Sequence, residues 1–231
     1  STGTVDANGI FDAENGSITF TGAGNLTLDS TVTSLGTLST TNGTVVYDGV
    51  DQVVFSDVYH NLTAGGGSGI KTLGGAVTVA GVFTVDTLVT TAMGGNNLTV
   101  TDETDINGTI TISTATLDVN GSFDATGGFV TFTDAGNLNL ESTVTDLGTL
   151  SDNFGTVTYD GTEQVVFSDV YYNLTAGGGS GTKTLGGDVT VANDFTIDTD
   201  VTITMDTHPL TVTNATDIDG TLAVAGNTLT L

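Results

Sequence analysis

Cysteine and tryptophan are absent from this 231-residue chain, arginine does not occur, and proline occurs once. Without cysteine no disulfide and no thiolate metal site can form, so stability must come from backbone pairing and core burial. Lys71 and Lys183 are the only cations against 27 acidic residues, and the formal net charge is −25. Nucleic acid and anionic membranes are bound through Lys and Arg, so both are excluded as natural partners. No apolar run approaches the roughly 18 residues of a membrane helix, which predicts no membrane insertion. Ser1 falls inside a repeat pattern instead of a leader segment, and the expectation is a piece of a longer protein whose remaining parts carry the targeting signals. Acidity does not make the chain a disordered polyanion, since 37% of its residues are hydrophobic and no acidic block interrupts them.

What is present is a tandem duplication. Residues 1–112 return without a gap as residues 113–224, and residues 225–231 begin a third copy. Gly43-Thr-Val-Val-Tyr-Asp-Gly49 reappears as Gly155-Thr-Val-Thr-Tyr-Asp-Gly161, and about two-thirds of aligned positions are identical. Duplication at a fixed period signals a repeat architecture.

Glycine supplies 33 residues, Thr and Val abound, and apolar residues alternate with polar ones in short bursts, so helix is excluded and the chain is all-β. Bursts such as Leu26-Thr-Leu28, Leu98-Thr-Val100 and Leu117-Asp-Val119 place two apolar residues inward around one polar residue outward. One such pair recurs from Val5 through Leu26, Val45, Leu62, Val77 and Leu98 to Leu117, in steps of 21, 19, 17, 15, 21 and 19 residues. If each step is one coil, the chain is a parallel β-solenoid of about 12 coils, about six per repeat. The competing all-β arrangement is two tandem immunoglobulin-like sandwiches, against which stand the missing Trp, the dense Gly and the short strands.

The run Tyr171-Tyr-Asn-Leu-Thr-Ala-Gly-Gly-Gly-Ser-Gly-Thr-Lys-Thr-Leu-Gly-Gly-Asp-Val-Thr-Val191 resembles segments of large repetitive bacterial surface proteins. In style, with Thr and Asn outside, Val and Leu inside and no Cys, the chain is similar to the β-solenoid shafts of filamentous haemagglutinin-like and autotransporter-type adhesins. That resemblance implies an extracellular or cell-surface protein with an extended, scaffolding role, and it brings no catalytic motif.

Gly177-Gly-Gly-Ser-Gly-Thr-Lys183 lacks the Gly directly before Lys and the following helix of a phosphate-binding loop, and reads as a flexible corner. Lys71 and Lys183 occupy one repeat position; a covalent link from Lys to Asn or Asp is one reading, and a cation on a solvated turn relieving acidic repulsion is the simpler one. Asp105-Ile-Asn107 and Asp217-Ile-Asp219 offer hard oxygen ligands and are candidate calcium ligands, with turn capping as the alternative. Thr109-Ile-Thr111 and Thr202-Ile-Thr204 are strings whose hydroxyls suit a flat outer ladder, or simply β-propensity and solubility. His60 is replaced by Tyr172 in the second copy, which excludes a shared histidine chemistry. No cofactor and no catalysis are expected. The reading is a mechanical shaft segment of an extracellular filament or surface adhesin, whose partners are copies of itself, head-to-tail or lateral, with cations or surface glycans as further ligands. The alternative is a tandem carbohydrate- or calcium-binding module.

Overall fold

The computed structural model describes residues 3–151, 153–224, 226 and 228–231. Of the stretch expected to start a third copy, 225 and 227 lie outside these. Among the described residues there are thirty-five strands, each two to five residues long, and their pairings are parallel. Wherever a strand is paired, its partners lie three places before or after it along the chain, so three strands make one coil. The result is a three-faced parallel β-solenoid of eleven full coils and most of a twelfth, as the strand pattern in the sequence implies.

Glycines and Asp or Asn turn the chain between faces, because corners between such short strands need positive φ or side-chain capping. Gly69 and Gly181 sit at φ 100° and 122°. A Cβ at either would overlap the carbonyl oxygen of Val50 or Thr162 from the coil before. In the Gly-Gly-Gly-Ser-Gly corner, Gly66 and Gly69 lie against the coil before, whereas a Cβ at Gly67 would meet nothing within 4 Å.

Inside the coils, like residues stack. On the first face the inner column runs Val5, Leu26, Val45, Leu62, Phe83, Thr104 and Phe123. On the third face Val77, Leu98, Leu117, Leu138, Val157, Leu174 and Phe195 form another. These columns merge into one continuous core, in which Leu98, Leu117, Phe123 and Leu138 are fully buried.

These columns divide the ladder expected from sequence. Leu62 pairs with Phe83, and Val77 starts beside Tyr59's strand on a different face. The 15-residue step from Leu62 to Val77 spans only two of the three strands of a coil, and the step from Leu174 to Val189 does the same. Both positions carry the same apolar-polar-apolar burst, so the pattern alone cannot tell the faces apart.

The consequence is a non-integral repeat. Strand Thr4–Ala7 corresponds to Thr116–Val119, seventeen strands later, and every strand of the first copy has its counterpart at that interval. Seventeen strands at three per coil are five and two-thirds coils. Equivalent residues therefore lie on different faces, turned by a third of a revolution and advanced by about 27 Å at ~4.8 Å per coil.

A charge in the third-face column should be far costlier than one outside it. Leu117→Asp, at a fully buried site, should lower stability by about 3–5 kcal/mol, because an unpaired carboxylate is trapped between coils. Thr99→Asp, whose outward side chain stacks beside Asp118, should cost less than about 1 kcal/mol. Denaturant midpoints of the two variants measure the difference.

Candidate functional site: a polar seam built once per repeat

The sheet ladders break at the same place in each copy. No backbone hydrogen bond joins strand Val32–Ser34 to Gln52–Val54, or Thr37–Leu38 to Val58–Tyr59, although Asn25–Leu28 pairs fully with Thr44–Tyr47. In the second copy the breaks fall between Val144–Asp146 and Glu163–Val166, and between Thr149–Leu150 and Val170–Tyr171. At each seam only one of three faces keeps its ladder.

Side chains take over what the backbone gives up. Gln52 is buried; its Nε2 donates to the carbonyls of Leu28 and Ser30 at 2.8 and 2.7 Å, and its Oε1 accepts from Gly49 N–H at 2.7 Å. Gln164 repeats all three bonds with Leu140, Ser142 and Gly161. The amide thus stitches one coil to the next where the ladder is open.

Beside it lies a closed ring of hydrogen bonds. Phe55 N–H donates to Tyr47 Oη at 2.9 Å, and Tyr59 Oη donates to the Phe55 carbonyl at 2.5 Å. With Tyr59's only proton committed, Tyr47 donates to Tyr59 across 3.0 Å. The rings meet edge-on at 6.4 Å and 74°. Tyr159, Tyr171 and Phe167 reproduce the arrangement.

Lys71 and Lys183 occupy the inner column of the seam's sheet, directly above Gln52 and Gln164. Both are fully buried, which corrects the expectation of a solvated turn. Each ammonium donates to a corner carbonyl of the preceding coil, Gly49 or Gly161, and Lys71 also reaches Val50 at 3.3 Å. Burial lowers the Lys71 pKa, while Asp48, Asp51 and Asp86 pull it back up. Asp86 in turn is raised by burial and by Asp48 and Asp105, with Lys71 opposing. Lys183 is placed likewise among Asp160, Glu163 and Asp198. The charge therefore does two jobs: it clamps the turn above the seam and holds down repulsion in a stack of corner carboxylates. The hydrogen bonds of both ammoniums among the described residues go to main-chain oxygens and not to an Asn or Asp side chain.

Outside the seam, a cleft opens where the ladder is broken. It measures about 510 Å³ in the first copy and about 420 Å³ in the second. Asp29, Ser30, Thr31, Val32, Asp51, Val53 and Thr72 line the first; Glu141, Ser142, Thr143, Val144, Glu163, Val165 and Thr184 line the second.

The residues singled out for calcium lie elsewhere. Asp105 points outward on the first face between Thr84 and Asp124, and its carboxylate accepts the Asn107 amide at 2.9 Å. Asp217 is on the third face beside Thr196, with Asp219 at the following corner. Among the described residues no group of three or more His, Asp or Glu is arranged to hold a metal ion. The Thr strings do stack: Thr182 and Thr184, Thr202 and Thr204, then Thr221 and Ala223 form two outward columns on one face.

The tyrosine ring makes alkali the sensitive direction. Burial pushes Tyr47 up to about 12, and raises Tyr59, Tyr159 and Tyr171 further. A raised folded-state pKa contributes stability that is complete below the unfolded value of about 10 and is lost as pH climbs through the folded values. Phenolate absorbance from these four rings should therefore rise together with loss of the β-sheet signal above pH ~10, and Tyr59→Phe with Tyr171→Phe, which break both rings, should lower the midpoint of thermal unfolding.

No protein-family model, curated protein or solved structure matches the chain.

Proposed function

We propose that the chain is a shaft segment of an extracellular filament or surface adhesin, with a mechanical and scaffolding role and no catalysis. The observation that carries this reading is the strand-for-strand return of the whole 112-residue unit within one uninterrupted stack of coils. A unit that continues its own sheets can be repeated to set length, and each added copy buries the edge of the one before. The exterior suits an exposed fibre: a charge of −25 keeps coils of neighbouring shafts apart and soluble. Copies of the same unit are its first partners in this reading, and cations gather on its acidic corners.

Antibodies raised against the folded chain test the role. On intact source cells they should label the surface, and immuno-electron microscopy should place the label along extended fibres. Label found only after the cells are permeabilised would contradict it.

A further inference from the structure

The seam clefts combine three properties that point to a ligand. The first is an interrupted sheet. Strand Val32–Ser34 makes its backbone hydrogen bonds to the coil before, and Gln52–Val54 to the coil after, but neither bonds the other. Main-chain edges of this kind are what extended peptides pair with. The second is charge. Asp29 and Asp51 stand at the mouth of one cleft, and Glu141 and Glu163 at the other. One oxygen of Asp51 accepts from Ile70 N–H at 2.9 Å and one of Glu163 from Thr182 N–H at 3.2 Å, which leaves the other oxygen of each for a cation, while the buried Asp29 Oδ1 has no hydrogen-bond partner. The third is duplication: both copies keep acid, Ser, Thr, Val and acid at these positions, although Asp and Glu have exchanged.

We propose that each cleft docks an extended, lysine- or arginine-bearing segment of a partner protein. The carboxylates would take the cationic side chain, the open strand edges its main chain, and Val53 or Val165, both exposed, an apolar neighbour. A second copy of this chain cannot be the occupant, because its only two cations are buried inside the solenoid. The volumes fall within the ~300–1,000 Å³ typical of ligand sites. A glycan is disfavoured because no aromatic ring lines either cleft. Because the repeat spans five and two-thirds coils, the two sites lie on different faces, about 27 Å apart along the axis. A shaft would thus present partners along a single spiral with three sites per turn.

Isothermal titration with a capped octapeptide of alternating Thr, Lys and Val tests it. The expected result is saturable binding of two peptides per chain, weakened by salt. Thr31→Trp, at an exposed position, fills the first cleft without altering charge and should leave one site; Thr31→Trp with Thr143→Trp should leave none. Val53→Lys with Val165→Lys, which puts a cation into each mouth, should also abolish binding. Asp102→Asn with Asp118→Asn removes as much charge elsewhere and should keep both sites. Non-saturable binding, two sites surviving in the double Trp variant, or a neutral oligosaccharide occupying the clefts in place of the peptide would overturn the proposal.

Discussion

Everything in this molecule depends on the parallel backbone ladder between successive coils. Its spacing of ~4.8 Å is fixed by the hydrogen bond, so whatever stands at one position inside the coil must pack against the residue at the same position in the next. Leu117 between Leu98 and Leu138 is the plain case: three leucines in register, all without solvent access. The chain has no cysteine for a disulfide and no helix among the described residues, so the stability of the solenoid rests on coil-on-coil contacts, each modest and each nearly local in space.

The seam is where the ladder constraint is relaxed, and its composition shows what relaxing it requires. Two large buried tyrosines, a buried glutamine and a buried lysine replace the Val and Leu of the regular coils. Each polar group answers a specific orphan: Gln52 the carbonyls of Leu28 and Ser30, the tyrosine ring both main-chain groups of Phe55, Lys71 the turn at Gly49. Buried polar groups so fully engaged rigidify a site. With only one of three ladders continuous, the seam is still the place where the heated solenoid should open first, and it recurs once per repeat.

The fold was legible in the sequence because alternation in bursts such as Leu98-Thr-Val100 reports a strand buried on one side, and because those bursts recur at coil length. The face on which each burst lies was not legible. Val77-Thr-Val79 and Phe83-Thr-Val85 present the same pattern six residues apart, and only the strand pairing shows that Leu62 stacks on the second of them. The seam left a different trace. Lys and Gln each occur twice in the chain, and both pairs, with Tyr47 and Tyr159, sit at equivalent repeat positions. Rare residues kept in both copies mark a defined environment, but a sequence does not say whether it is inside or outside, which is why Lys71 reads as a surface cation and proves to be a core clamp. The candidate calcium residues read the other way: Asp105 and Asn107 satisfy each other, as turn residues do.

The seam, the clefts and the turn between copies all follow from the coil register, with Leu62 stacked on Phe83 and the repeat closing at five and two-thirds coils. The absence of native cysteine allows a direct measurement by paired cysteine substitution and mild oxidation. Thr63 and Thr84 point outward from adjacent strands in register, well placed for the ~4.4–6.8 Å between Cα atoms that a disulfide needs. Thr63→Cys with Thr84→Cys should therefore cross-link rapidly within the native chain. Thr63→Cys with Thr78→Cys should not, because Thr78 lies on another face beside Thr99. Rapid cross-linking of Thr63 to Thr78 but not to Thr84 would contradict the register, and with it the seam, the clefts and the spiral built upon it.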